Sequence, residues 1–550
     1  MTVDLIWIGG AASQPKWRLG AVWSAQSTAQ SIHDVIAENL SDSDAAAWLF
    51  WDSAFGAPEP ETILPALSRP GDLWHAGLRV GTGGSPRFLD SIVGPWLLNR
   101  NPDPAIEATS WRLSLRASLI PTEALRQMGG IHPEFRSLDG AALEMGLRCI
   151  RRGVMPRHIP GIAPAGLDYP PVRLPLDDEL RLAYYHYGRG WALWALFRSV
   201  LNRDATLAAA AAACARVFRR PPPREPDPYI HPQPTPSREM IDAAVSVLIP
   251  TIDRYSYLRT LLAQLGKQTL PPLEILVIDQ TPVERRETRL SDEFPDLPLK
   301  IFYLDQAGQC SSRNLGLQMA RGRYILFSDD DNEIGPDLVE AHVRTLLRFG
   351  AQASCGVSTE PGAEPLPPDF RRIGASGVFS TNNSLLDKSV FYKTGLLDLA
   401  YDRGQRADAD LGMRIYLSGA LMTLSPEMHV LHHRAPAGGL RTHRARVVTS
   451  GSSRRSLTQR HIPSMTEIYY AKRYFSERQV KEMLWLRVLG TFLGRGSRSR
   501  RILKAIISLA ALGDTLKQIR RRYREAERVL NQPPNIPMLE RPGVSSEKES

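Results

Sequence analysis

The sequence predicts an α/β protein built on βαβ units, and three observations carry that expectation. Apolar runs such as Val245-Ser246-Val247-Leu248-Ile249-Pro250-Thr251 and Leu273-Glu274-Ile275-Leu276-Val277-Ile278-Asp279 have the length of buried strands. Between them apolar residues recur at helical spacing, as at Leu258, Leu261, Leu262 and Leu265. Several runs then stop on an acid, and ligands of open α/β sheets bind beyond the carboxyl ends of strands.

Taken in order, Thr2 to Ile8 carries one acid and no basic flank, so it reads as a first strand rather than a signal peptide. Trp48-Leu49-Phe50-Trp51-Asp52 is a second strand ending in an acid, and an aromatic helix is expected over 178–200. Prolines 221, 222, 223, 226, 228, 232, 234 and 236 favour an extended linker. Beyond it, the strand ending at Thr251 leads through a helix to the strand ending at Asp279. A short strand over 300–304, a helix over 311–320 and the run Tyr324-Ile325-Leu326-Phe327-Ser328 come next. These elements divide the chain into an α/β domain (1–172), a helical segment (173–218), a Pro-rich linker (219–243) and a second α/β domain (244–435). A mobile basic loop (436–463), amphipathic helices (464–532) and a disordered tail (533–550) complete the expectation.

The 550 residues exceed one ordinary core, and 43% hydrophobic content is ordinary for a soluble protein. Four cysteines without paired spacing exclude a disulfide framework and a zinc site, which fits a reducing cytoplasm. No run reaches the ~18 apolar residues of a membrane span. The net charge of +10 points to an anionic partner, and its distribution narrows the class. Seven arginines and no acid lie between Arg434 and Arg460, a composition suited to a diphosphate. A second basic cluster, Arg495 to Arg528, lies on an amphipathic helix pair that reads either as a peripheral contact with an anionic membrane surface or as a solvated face beside a core-packed stripe. No nucleic-acid-binding module is recognisable.

Asp329-Asp330-Asp331 is the most informative triplet. Adjacent carboxylates repel by ~1 kcal/mol or more per close pair at a protein surface, and a hard cation such as Mn²⁺ or Mg²⁺ relieves that repulsion. A solvated turn capping the helix that begins near Pro336 is the simpler alternative.

The two halves also repeat. Asp408-Ala409-Asp410-Leu411-Gly412-Met413-Arg414, closed by Gly419, is matched by Ala142-Leu143-Glu144-Met145-Gly146-Leu147-Arg148, closed by Gly153. Upstream, Trp51-Asp52-Ser53-Ala54 stands where Ser328-Asp329-Asp330-Asp331 does. The repeat implies duplication of a domain, with Asp331 and Asp408 replaced by Ala54 and Ala142 in a degenerate first copy.

The second half resembles the family-2 glycosyltransferases. The likeness rests on Val245 to Thr251 with Arg254, Val277-Ile278-Asp279, Arg313-Asn314-Leu315-Gly316, Ala320 to Asp331, and Asp408-Ala409-Asp410-Leu411, over about residues 244 to 435. It implies a GT-A fold, here in two tandem copies plus carboxy-terminal helices, and a nucleotide-sugar transferase activity. By the resemblance, Pro250, Thr251, Asp279 and Arg313 would line the nucleotide pocket, with Asp329 and Asp330 on the ribose and sugar side. Asp331 and Asp329 would form the Asp-x-Asp motif for Mn²⁺ or Mg²⁺, completed by His432, with His433 the competitor. Asp408 would be the general base of an inverting transfer from a UDP-sugar, with a helix cap, or Asp410 as base, the alternatives. Two departures are Ala407, where the family usually has an acid, and Gln280-Thr281-Pro282 after Asp279. The acceptor would be a glycan, lipid-linked or other hydroxyl, and the location cytoplasmic or peripheral at the inner face of the plasma membrane. A non-catalytic nucleotide-sugar- or carbohydrate-binding protein is the rival class.

Overall fold

The computed structural model describes residues 2–9, 14–84, 86–92, 99–435, 448 and 450–540. Two mixed sheets organise them. The first contains β1 (Val3–Ile8), β2 (Val22–Ala25), β3 (Ala47–Asp52), β4 (Leu73–His75), β5 (Ala108–Thr109), β6 (Ala117–Pro121) and β7 (Pro156–His158). The second contains β8 (Val245–Thr251), β9 (Glu274–Asp279), β10 (Leu299–Tyr303), β11 (Tyr324–Ser328), β12 (Asn332–Ile334), β13 (Ala353–Thr359), β14 (Gly374–Ala375), β15 (Asn383–Asp387) and β16 (Met422–His432). The helix expected through Leu258 to Leu265 and that over 311–320 are Tyr255–Leu265 and Gln309–Met319.

The sheets share one topology. In the first, β1 runs parallel to β2 and β3, β6 runs antiparallel to β3 and β4, and β7 is parallel to β4 and antiparallel to β5. In the second, β8 pairs in the same sense with β9 and β11, β15 with β11 and β13, and β16 with β13 and β14. Six pairings thus correspond one to one, which turns the sequence repeat into a structural one.

Period-2 alternation explains why these runs are strands. Val245, Val247 and Ile249 enter one apolar cluster and Leu248 enters the other, and Ile275 and Val277 part from Leu276 and Ile278 in the same way. In the first sheet Val3, Leu5 and Trp7 face away from Ile6 and Ile8. Both faces are covered, as strands apolar on both sides require.

The halves dock symmetrically. The helix Leu138–Arg152 packs on β14 and the equivalent helix Ala407–Leu417 packs on β5. Gly153 and Gly419 end these helices at φ +104° and +87°, and a Cβ on either would run into a backbone carbonyl of the other half, Ile373 or Glu107. The contact is therefore isologous, like that of a twofold dimer.

Four expectations need correction. The proline-rich segment is a packed strap rather than a free spacer. His231 is buried 3.3 Å from Asp72, Gln233 donates to Asp72 at 2.8 Å, and Arg348 donates to the Gln233 carbonyl at 3.0 Å, so the segment staples the halves together. The tail is ordered over 533–540, where the amides of Leu396 and Leu399 donate to the carbonyls of Pro537 and Asn535, while 541–550 lie outside the described residues. Of the basic loop, 436–447 and 449 lie outside the described residues, whereas Ser450–Arg455 is helical. The helix expected over 178–200 is Leu176–Leu201, broken at Gly188, and the amphipathic region after 464 begins with Met465–Tyr474 and Glu477–Gly490, each begun by a capping box. Arg498–Ala510 and Leu512–Leu530 come after them. Among the described residues no helix is long and apolar enough to cross a membrane.

Candidate active site

Strand order puts the acids on one rim. β8, β9 and β11 are parallel neighbours, so Thr251, Asp279 and the residues after Ser328 emerge together at their carboxyl ends. Asp329-Asp330-Asp331 does not cap a helix. It bridges β11 to β12, and the next helix, Leu338–Phe349, begins several residues later. β12 in turn pairs antiparallel with the end of β16, with Asn332 opposite His432. That pairing carries His432 to the acids across a hundred residues of sequence.

Each acid has a distinct environment. Asp329 Oδ1 accepts from Arg313 Nη2 at 2.8 Å, and its Oδ2 is 4.0 Å from His432 Nε2. Asp330 is buried beneath the surface, accepting from Thr251 Oγ1 at 2.7 Å and Arg254 Nη1 at 3.0 Å. Burial pushes its carboxyl up to about 6 despite Arg254. Asp331 Oδ2 accepts from the Ala435 amide at 2.7 Å and lies 3.3 Å from Arg254 Nη1. Burial opposes ionisation of Asp331, but His432 and Arg254 outweigh it and hold the carboxyl at about 2. Its buried Oδ1 is 3.2 Å from His432 Nε2 yet outside hydrogen-bond geometry, so a cavity-lining anionic oxygen lacks a hydrogen-bond donor.

Asp329, Asp331 and His432 each offer one ligand atom, and these atoms lie within 4.8 Å of one another. Two carboxylate oxygens, one of them without a donor, and an imidazole fit a divalent cation of the Mn²⁺ or Mg²⁺ kind. His433 takes no part: its Nε2 lies 2.9 Å from Glu333.

These groups line a cavity of about 990 Å³ together with Pro250, Thr251, Arg254, Arg313 and Asp408. Asp279 is not among the lining residues. It is 1% exposed, accepting from Tyr255 Oη at 2.6 Å and the Thr281 amide at 2.9 Å, so it braces the wall from behind. Asp330 likewise supports Thr251 and Arg254 more than it meets the opening.

Asp408 lies in the first turn of Ala407–Leu417, but the cap position belongs to Arg406, at φ +79°. Burial raises its carboxyl pKa, with the Ala409 amide and Arg406 opposing. Asp410 is wholly buried, bound to Arg414 at 2.9 Å, Tyr474 at 2.8 Å and Arg473 at 3.1 Å. It cannot reach an acceptor. The corresponding Glu144–Arg148 pair in the first half marks this position as structural in both copies.

Other lining groups escaped the sequence reading. Arg406 and Arg487 both donate to Glu467 Oε1, at 2.6 and 2.9 Å, and all three line the cavity with Arg455 and His461. Burial and then Arg487 lower His461 to about 4, leaving it neutral. Three of the four described non-glycine residues with positive φ, Asp253, Arg406 and Arg434, also sit in or beside this wall.

In the first half, the strand ending at Asp52 meets Arg116 instead. Arg116 Nε donates to Asp52 Oδ2 at 2.7 Å and its guanidinium lies 5.0 and 4.8 Å from the rings of Phe55 and Tyr169. β7 spans three residues where β16 spans eleven, so the arm that carries His432 has no equivalent there.

Residues 246–395 match the model of Glycosyl transferase family 2. Glycosyltransferase GlyA of Streptococcus pneumoniae is 29% identical over 119 residues, covering 21% of this chain and 17% of that protein. The uncharacterised glycosyltransferase YwdF of Bacillus subtilis is 30% identical over 97 residues, covering 18% of this chain and 35% of its own. The chain thus spans well under two-thirds of these relatives. Among solved structures, the mannosyltransferase PcManGT from Pyrobaculum calidifontis, in complex with GDP-Man and Mn²⁺, is 15% identical with a TM-score of 0.37, covering 65% of this chain and 99% of that one.

Proposed function

We propose that this chain, which carries a family-2 glycosyltransferase domain over residues 246–395, is an inverting, metal-dependent glycosyltransferase that moves a sugar from a nucleotide-diphosphate sugar to an acceptor hydroxyl. The observation that carries the reading is the placement of Asp329, Asp331 and His432 on the same cavity as Asp408. When bound at those three residues, Mn²⁺ or Mg²⁺ would supply charge neutralisation for the departing diphosphate. Arg313, fixed by Asp329, and Arg254, fixed by Asp330, keep positive charge along the same wall. Donor binding, with UDP-sugars as our reading, falls to Pro250, Thr251, Arg313 and Asp329.

Asp408 takes the proton of the acceptor hydroxyl as that oxygen attacks the anomeric carbon. The bond from that carbon to the diphosphate oxygen breaks on the opposite face, and its electron pair leaves with the nucleoside diphosphate. A carboxylate whose pKa is raised by burial is a stronger base than a solvated one. Attack opposite the leaving group inverts the anomeric configuration. Glu467 holds Arg406, the residue that begins the helix bearing Asp408, so the carboxy-terminal helices help position the base. The first half, with Arg116 on its acid, is a non-catalytic copy that braces the second.

The test is metal-dependent release of nucleoside diphosphate from a panel of UDP- and GDP-sugars by the full chain. Release that needs Mn²⁺ or Mg²⁺ and disappears in both Asp331→Ala and Asp408→Asn is expected. Wild-type release by both variants would refute the assignment, and donor binding without turnover on any acceptor would favour the binding-protein alternative.

A further inference from the structure

The helix Arg498–Ala510 is built inside out. Lys504 and Ser508 are 1% and 2% exposed, whereas Ile502, Ile506 and Leu509 are 53%, 58% and 63% exposed. The inward polar groups are satisfied, Lys504 Nζ donating to the Gln459 carbonyl at 2.7 Å and Ser508 Oγ to the Thr491 carbonyl at 2.8 Å. Residues 502, 506 and 509 are spaced i, i+4, i+7 and so form one outward stripe. A helix that serves only a soluble core does the reverse. Nothing among the described residues buries the stripe, and Leu489 and Leu493, just before it in the chain, are also exposed.

Charge selects the occupant. Arg495, Arg498, Arg500 and Arg501 are exposed, and no Asp or Glu falls between residues 495 and 513. A second copy related by a twofold axis would set this basic patch against itself, an arrangement of like charges. An apolar stripe edged by arginine suits a helix lying in the interface of a bilayer that carries anionic lipid.

We infer that this helix seats the protein on an anionic membrane surface, with Ile502, Ile506 and Leu509 entering the interface and the arginines meeting lipid phosphates. The seat adjoins the cavity. Lys504 holds the carbonyl of Gln459, Arg500 holds that of Arg455 at 2.6 Å, and both Gln459 and Arg455 line the cavity wall. Resting on the transferase reading, this placement gives the acceptor a class: a hydroxyl presented at a membrane surface.

Sedimentation of the full chain with vesicles of phosphatidylcholine, alone or mixed with phosphatidylglycerol, tests the seat. Binding is expected only to the mixed vesicles and is expected to weaken with salt. Each of Arg498→Glu and Arg501→Glu should lower it about fivefold or more, and Ile502→Glu with Ile506→Glu about tenfold or more. The changed side chains are exposed, so the thermal midpoint should not move. Equal binding to both vesicles, absent binding, or full binding by the Ile502→Glu, Ile506→Glu variant would overturn the inference. So would a wild-type dimer that ignores vesicles and becomes monomeric in that variant. Vesicle binding is read without any nucleotide sugar, so loss of the seat with intact turnover, or the reverse, separates the two readings.

Discussion

Asp52 and Asp329 stand at the ends of equivalent strands of two sheets with the same pairings and each accepts from an arginine, yet among the described residues only Asp329 also belongs to a cluster of ligand atoms. The scaffold is common to both halves. The differences lie in the segments just after β3 and β11 and in the lengths of β7 and β16. The second half adds β12 and an eight-residue extension of its last long strand, and their pairing brings His432 beside Asp331. The first half instead pairs Asp52 with Arg116, whose charge Asp139 also feels. Among the described residues the first rim thus lacks such a cluster while the sheet, the buried helix and the docking glycine persist.

The largest expected effect separates the rims. Asp408→Asn should cut turnover by about 10²–10⁴-fold, the range for losing a general base, and Asp331→Ala should fall as far. Asp52→Asn, Arg116→Ala and their double variant should leave turnover within about twofold, because that pair touches no residue of the second rim. Steady-state release of nucleoside diphosphate reads both. A first-half variant as damaging as Asp408→Asn would mean that both rims work.

The buried ion pairs should behave alike in the two copies. Glu144 is held at about 2 because Arg148 and His186 outweigh a large burial penalty, and Asp410 is gripped by Arg414 and Arg473. Removing one partner leaves an unpaired buried charge at a cost of about 3–5 kcal/mol. Glu144→Gln and Asp410→Asn should each lower the denaturation midpoint, read by calorimetry, with donor affinity of the surviving folded protein unchanged. Loss of turnover in Asp410→Asn without loss of stability would restore Asp410 as a candidate base.

Much of this comparison was legible in the sequence. Strand and helix order came from apolar periodicity, and the Gly-x-x-Arg repeat located the equivalent helices, because both signals are local. Asp329, Asp331, His432 and Asp408 were singled out through the family resemblance, and all four line one cavity. The burial of Asp279 behind the cavity wall was not legible, because a strand-end acid does not announce whether Tyr255 will cover it. The Glu467 link ties Arg406, 61 positions before it, to Arg487, 20 positions after it, and their relative placement depends on tertiary packing. The strap misled for a related reason: proline composition predicts extension, and His231 shows that an extended segment can still be buried.

Symmetry of the docking contact gives the next test. Gly153 and Gly419 each combine positive φ with a carbonyl of the opposite half against the missing Cβ. Alanine at either should cost about 1–3 kcal/mol from backbone strain and crowding. The two costs should be similar and should add, since the glycines belong to opposite halves of the interface and share no partner. A large penalty at Gly419 alone would show that the first half is tethered rather than symmetrically packed.

The smallest effect concerns protons at the two acids. Burial lowers the His432 pKa, but Asp331 and Asp329 raise it further, so the net shift is upward from the ordinary 6.5. In the cation-free protein His432 therefore keeps its proton to a higher pH than an ordinary imidazole, and a metal that uses Nε2 must displace it. Affinity for Mn²⁺ should rise with pH through the neutral range, by up to about tenfold per unit below the His432 pKa, and level off above it. Protonated His432 also stabilises the cation-free fold below 6.5, a contribution lost as pH rises through the raised value, so metal should add more to thermal stability at pH 8 than at pH 6. Titration calorimetry in buffers of different ionisation enthalpy would count the released proton. His432→Gln should flatten the pH dependence while Asp52→Asn leaves it intact, and a wild-type affinity that ignores pH from 6 to 8 would remove His432 from the metal ligands.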